Sequence, residues 1–147
     1  MRRLLIGSDH GGFELKAEFI KRLSEIGREA VDCGIYSPER VDYPDVAEEL
    51  CTKLLSDNDA EFGILICGTG IGMSIAANKI KGIRAALCTD CYSARMAKEH
   101  NNANVITLGA RTLGVELAWE IIKSYMSASF LGGQHAVRVA KLDKMIH

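Results

Sequence analysis

The stretch Phe62–Lys79, FGILICGTGIGMSIAANK, decides how the whole chain is read. Phe62 to Cys67 is an unbroken apolar run, the length of a strand buried on both faces. Gly68, Gly70 and Gly72 follow at every second position, and Met73 to Lys79 then reads as a helix with the small residues Ser74, Ala76 and Ala77 on its near turns. A buried strand, a glycine turn and a helix start make an anion-binding device. Glycine permits positive φ and close approach to peptide N–H groups, and the helix N-terminus adds unpaired N–H groups with a partial positive charge. Cys67 falls at the carboxyl end of this strand, the edge where open α/β folds hold their ligands.

On either side of this unit, strands and helices alternate. Strands are expected at Leu4–Gly7, Glu29–Cys33, Ile83–Cys88 and Val105–Leu108. Helices are expected at Phe13–Ile26, Val46–Leu55, Asp90–Glu99, Leu113–Tyr125 and Gln134–Met145, from apolar residues recurring at helical spacing. Five strands alternating with helices predict an α/β fold: a three-layer α/β/α sandwich on a five-stranded parallel, Rossmann-like sheet with right-handed crossovers. The 147 residues read as a single domain, 1–147, with no repeat or linker. The last helix, about 134–145, has no strand after it. A dimer arm and ordinary packing on its own sheet are both compatible with that pattern.

The formal net charge is -1, so no broad attraction to nucleic acid or to an anionic membrane is expected. No apolar segment approaches membrane-spanning length. Five cysteines and an N-terminal MRRLLIGSDHGG too short in apolar residues for a secretory signal predict reduced thiols and a cytoplasmic location.

Parallel strands bring their carboxyl ends to one edge, and the candidate reactive groups sit in the loops there: Asp9, His10, Asp42, Tyr43, Cys67, Thr69, Asp90 and Arg111. Each has a plainer reading. A cysteine ending an apolar strand is more often structural, although a glycine turn and a helix start beside it favour a functional thiol. Asp9 can cap the first helix. Arg111 and Arg138 are ordinary surface charges taken singly, and His100-Asn101 can be a helix stop. Cys88-x-x-Cys91 lacks a second pair for zinc. His100 and Asn101 end a helix and so face away from the Cys67 edge of their own chain; to act there they must come from a second copy.

Two named motifs are tested by the glycine loop. A P-loop fails, because Met73 stands where its second glycine belongs and no Lys-Ser or Lys-Thr follows. The G-x-G-x-x-G fingerprint also places its third glycine on Met73, although Asp90 sits where a ribose-binding acid belongs. A nucleotide-binding Rossmann-like module therefore stands as the second reading.

Six segments carry a resemblance: Gly7–Lys16 (GSDHGGFELK), Asp42–Asp45 (DYPD), Ile66–Lys79 (ICGTGIGMSIAANK), Gly82–Ala85 (GIRA), Glu99–Asn104 (EHNNAN) and Gly133–Val139 (GQHAVRV). In this order, and over essentially the whole chain, they resemble ribose-5-phosphate isomerase type B, whose wider group includes allose- and galactose-6-phosphate isomerases. The resemblance implies an aldose–ketose isomerase without metal or organic cofactor, interconverting ribose 5-phosphate and ribulose 5-phosphate through a cis-enediolate. It implies Cys67 as the base, backbone N–H groups from Gly68 to Ser74 (Gly68, Gly70, Ile71, Gly72 and Ser74 among them) as the enediolate cradle, and Thr69 with His100 as the ring-opening pair. Asp9, Tyr43 and Asn101 match sugar-contacting positions, and His10, Arg111 and Arg138 match phosphate ligands. It also implies a homodimer with shared sites, or a pair of dimers, and a place in pentose phosphate metabolism. A six-carbon sugar phosphate is the alternative substrate, and a phosphosugar sensor without activity is a third class. A branch of the family that carries a Glu in the glycine loop reads Met73 here, which points to the cysteine branch. Where that family carries an Arg after the last glycine pair, this chain has Gln134, which implies weaker phosphate holding or a different substrate pose.

Overall fold

The computed structural model describes residues 2–145. Five parallel strands form one sheet in the order β2-β1-β3-β5-β4: β1 Arg3–Ser8, β2 Ala30–Asp32, β3 Ala60–Cys67, β4 Ala85–Leu87 and β5 Val105–Gly109. The helices are α1 Phe13–Glu25, α2 Tyr43–Ser56, α3 Ile71–Asn78, α4 Cys91–Glu99, α5 Val115–Met126 and α6 Gln134–Lys144. The expected α/β sandwich is therefore the observed one. No described helix is long and apolar enough to cross a membrane.

Strand alternation divides the core. Leu4, Ile6, Ile64, Ile66, Ile106 and Leu108 face one layer, where they meet α1, α4 and α5 through Phe19, Leu23, Ala94, Trp119 and Ile122. Leu5, Leu65, Cys67 and Val105 face the other, where α2 and α3 cover them with Val46, Leu50, Met73 and Ala77. Right-handed crossovers account for the division, since the chain reverses its direction across the sheet after β2 and again after β4. Gly63 lets α2 lie close. A Cβ there would come within 2.6 Å of Leu50 Cδ2. Leu50 is fully buried, and truncating such a side chain to alanine costs about 2–5 kcal/mol.

Helix α1 stops as its sequence directs. Gly27 takes φ 78°, its N–H donates to the Ser24 carbonyl, and the Arg28 N–H donates to Leu23, which is a Schellman closure. Several boundaries differ from expectation. Helix α2 begins at Tyr43 rather than Val46, with Pro44 in its first turn, where a missing N–H costs nothing. Helix α3 begins at Ile71 rather than Met73, directly after Gly70. Strand β4 keeps three residues of the expected six, and α5 begins at Val115 rather than Leu113.

From β1 the chain runs to β2 on one side and then passes back over β1 to reach β3 on the other. The crevice between the carboxyl ends of β1 and β3 is therefore the switch point of the sheet. Ser8 and Asp9 border it on one side, Cys67 and Gly68 on the other.

Candidate active site

Cys67 ends β3 and is buried, with its face toward α2 and α3. The Gly70 N–H donates to its Sγ over 3.2 Å. Gly70 takes φ 79°, which suits glycine, and a Cβ at that residue would lie 2.9 Å from the Leu108 carbonyl carbon and 2.6 Å from Leu87 Cδ1. Its carbonyl accepts from the buried Thr107 hydroxyl at 3.0 Å. The turn is thus held from both sides. Thr69 is exposed, and its Oγ1 accepts from the Ile71 N–H at 3.2 Å at the lip of α3. The Gly72 and Met73 N–H groups have no carbonyl within the helix to meet, whereas the Ser74 N–H donates to the Gly70 carbonyl at 3.1 Å. Ile71 is exposed and Ser74 half-buried on the outward side of the same turn.

The neighbouring loops are clasped to this one. Ala110 N–H donates to the Cys67 carbonyl and Arg111 N–H to the Gly68 carbonyl, both at 2.9 Å. This brings the Arg111 guanidinium over Gly68, within 3.2 Å of where a Cβ there would be. Gly109 admits the clasp, because a Cβ would fall 2.6 Å from the Thr69 carbonyl carbon. From β1, the Asp9 N–H reaches the Ile66 carbonyl at 3.2 Å, and Asp9 Oδ1 accepts from the N–H groups of Gly11 and Gly12. Asp9 therefore caps the short 3-10 turn His10–Gly12 that leads into α1, a turn inside what the sequence reads as a loop. His10 is half-buried, and its Nδ1 is a buried atom without a protein partner.

The Tyr43 ring lies against Gly72: a Cβ there would be 2.6 Å from ring carbons Cε1 and Cζ. Asp9, His10 and the segment Arg40–Asp45 line an open cleft of about 450 Å³. Cys67 is not among the residues that line it. A single chain thus assembles Cys67, Thr69, the loop amides, Asp9, His10, Tyr43 and Arg111 at one edge.

The remaining candidates stand at the other edge. Helix α4 leaves the carboxyl edge and runs back, so His100, its C-cap, and Asn101 lie beside the start of β5. Asn102, not Asn101, takes the left-handed conformation that ends the helix, at φ 46°. Arg138 is on α6 and exposed. The His100 ring stacks on that of His135, centroids 4.0 Å apart and planes 10° from parallel.

Two rival signals lose their chemistry. Asp90 accepts from the Ser93 N–H at 2.7 Å and caps α4, a bond that, with the Ser93 hydroxyl, holds its carboxyl below the usual range. Cys88 is buried, and burial pushes its thiol up to about 12.

Reading the sequence alone missed His135, which lies 35 residues from its stacking partner, and Ser8, a fully buried serine at the switch point whose Oγ has no protein partner. The only trace of the first is the G-x-H-x-x-R spacing, which keeps His135 and Arg138 on neighbouring turns of α6. Ser8 gave a faint signal, a polar residue at the end of an apolar strand.

Comparison with known proteins fits this arrangement. Residues 4–142 match the ribose/galactose isomerase family. The chain is 45% identical over 139 residues to ribose-5-phosphate isomerase B of Escherichia coli, covering 95% of this chain and 93% of that protein. It is 46% identical over 149 residues to D-erythrulose-4-phosphate isomerase of Pectobacterium atrosepticum, covering 100% of this chain and 97% of that one. Among solved structures, a ribose 5-phosphate isomerase from Thermotoga maritima superposes with a TM-score of 0.94 at 49% identity, covering 98% of this chain and 99% of that chain. With matched residues spanning nearly the entire chain and the same α/β architecture, this protein is an isomerase of the ribose/galactose isomerase family.

Proposed function

We propose that the protein interconverts ribose 5-phosphate and ribulose 5-phosphate, with Cys67 as the base. The observation that carries this reading is the convergence at one sheet edge of the Cys67 sulfur, the N–H groups of the 68–74 turn and the Arg111 guanidinium, all clasped by β5. The sugar enters as a furanose. His100 gives a proton to the ring oxygen while Thr69 helps take the proton from the hydroxyl on C1, and the C1–O bond to the ring breaks. The open aldehyde and its C4 hydroxyl result. Cys67 then removes the proton on C2, and the electron pair moves into C1=C2 as the carbonyl oxygen becomes negative. N–H groups preset around that oxygen stabilise it more than they stabilise the neutral carbonyl. A proton moves from O2 to O1, and the thiol returns its proton to C1, which completes the ketose.

His10, Arg111 and Arg138 hold the phosphate, and Asp9, Tyr43 and Asn101 contact the sugar. His100, Asn101 and Arg138 reach the site from a second copy of the chain, because their own Cys67 lies at the opposite sheet edge. Helix α6 suits an arm for that copy. It buries Val139 and leaves Val137 and Leu142 exposed.

A second substrate has support from one observation: the relative named for D-erythrulose 4-phosphate is as similar as the one named for ribose 5-phosphate. Gln134, uncharged at the start of α6, is compatible with a shorter sugar in a different pose. Incubation with ribose 5-phosphate and with erythrose 4-phosphate, following ketose formation, tests both. The ribose reading predicts the higher kcat/KM on ribose 5-phosphate, and turnover of the four-carbon sugar alone would overturn it.

A further inference from the structure

The stacked pair His100–His135 goes beyond the assigned set. The segment that leads into α6 is tied to α4 by the Leu131 N–H, which donates to the Glu99 carbonyl at 3.0 Å. Gly132 and Gly133 then take φ 70° and 57°, a turn that suits glycine, and present the first turn of α6 to the end of α4. The result is near-parallel imidazoles 4.0 Å apart, with Arg138 one turn further along α6.

We propose that His135 is a positioning residue for ring opening: its stacked ring fixes the plane of the His100 imidazole. This rests on the reading of His100 as the ring-opening acid. Two facing imidazolium ions repel each other, whereas one imidazolium over a neutral ring is attracted to its face. Burial, the charge of His100 and then that of Arg138 hold the His135 imidazole below its ordinary value. The other charged groups on the two helices here are Arg95, Lys98 and Glu99 on α4 and Lys141, Asp143 and Lys144 on α6. Arg95 pairs with Glu99 at 3.5 Å and Asp143 with Arg84 at 3.1 Å. Segment 127–133 carries no charge.

The test uses the full chain carrying His135→Ala or His135→Phe and compares two rates. One is turnover of ribose 5-phosphate, whose ring must open. The other is entry of solvent deuterium at C1 of ribulose 5-phosphate, which cannot close a five-membered ring because its O5 is esterified, and which therefore needs the base alone. His135→Ala should lower the first rate relative to the second about tenfold, as for a misplaced acid. His135→Phe, which keeps a flat ring, should recover most of that loss. An NMR titration supplies a readout without substrate: His100→Asn should raise the midpoint of His135 by removing a neighbouring cation. Equal loss in both rates, no loss in either, or a His135 midpoint unmoved by His100→Asn would overturn the proposal. A wild-type protein with neither turnover nor exchange would instead refute the ribose reading, and the titration would still judge the pair.

Discussion

The Gly70 amide points at the Cys67 sulfur over 3.2 Å, and this one bond ties the tip of β3 to the start of α3. It fixes where the sulfur sits relative to the turn amides. Replacing Cys67 by Ser keeps size and position but exchanges the thiol for a far poorer base at neutral pH. Cys67→Ser should lower kcat by roughly 10²-fold or more, the usual size of a general-base contribution. Binding of the phosphosugar, measured by calorimetry, should change little, because His10 and Arg111 remain. Full activity in Cys67→Ser would remove Cys67 from the chemistry.

Two glycines of the site separate binding from folding. At Gly72 an added Cβ meets the Tyr43 ring, a half-exposed side chain that can swing away. Gly72→Ala should therefore raise KM several-fold with a nearly unchanged melting temperature. At Gly109 the added Cβ meets the Thr69 backbone, which cannot move without opening the clasp. Gly109→Ala should cost about 1–3 kcal/mol of stability, the range for overpacking, and kcat as well. Denaturant melts and Michaelis curves of the two variants distinguish the cases.

Lys16 is almost fully buried, and its Nζ donates to Asp32 Oδ1 at 2.7 Å and to the Ile35 carbonyl. It joins α1 to the end of β2 and to the segment leading toward the cleft. Lys16→Met removes the cation beside Asp32 and leaves its Oδ1 with the Gly34 N–H at 2.9 Å. Since Asp32 is about one-third exposed, the loss should be about 2–4 kcal/mol, at or below the range for a fully buried pair. A shift in the denaturation midpoint at constant slope would bear this out.

The docking of α6 should weaken in mild acid. The His135 imidazole is held below the ordinary histidine value of 6.5, so between that folded value and 6.5 the unfolded segment binds more protons than the folded one. Stability is then whole above 6.5 and declines as pH falls toward the folded value. Hydrogen exchange of the α6 amides at pH 7.5 and pH 5.5 should show faster opening at the lower pH, and His135→Phe should remove part of the difference.

How far the fold could be read from the residues depended on whether the deciding contact was local. The apolar run before Cys67 and the glycines after it marked strand, turn and helix, because each of those signals lies within a few residues. Pro44 beside Asp42 could have marked the true start of α2, since proline favours the first helical turn. Strand β4 shrank because only Ala85–Leu87 pair with β5, a fact of register that hydropathy does not carry. Lys16 falls within the expected first helix, and only the return of the chain through Asp32 and Ile35 accounts for its burial. The candidates of the carboxyl edge were legible as a set because parallel strands share one edge. The partnership of His100 with His135 was not, because it depends on how α6 folds back.

The most direct test mixes two inactive variants, Cys67→Ala and His100→Asn. Each homodimer lacks one group in both of its sites. If the base comes from one chain and the ring-opening acid from the other, a mixed dimer contains one complete site and one site lacking both groups. Random exchange at equal amounts should then restore about a quarter of wild-type turnover on ribose 5-phosphate, since half the dimers are mixed and each has one live site of two. Mixtures no more active than the separate variants, after verified subunit exchange, would contradict a site in which Cys67 of one copy works with His100 of the other.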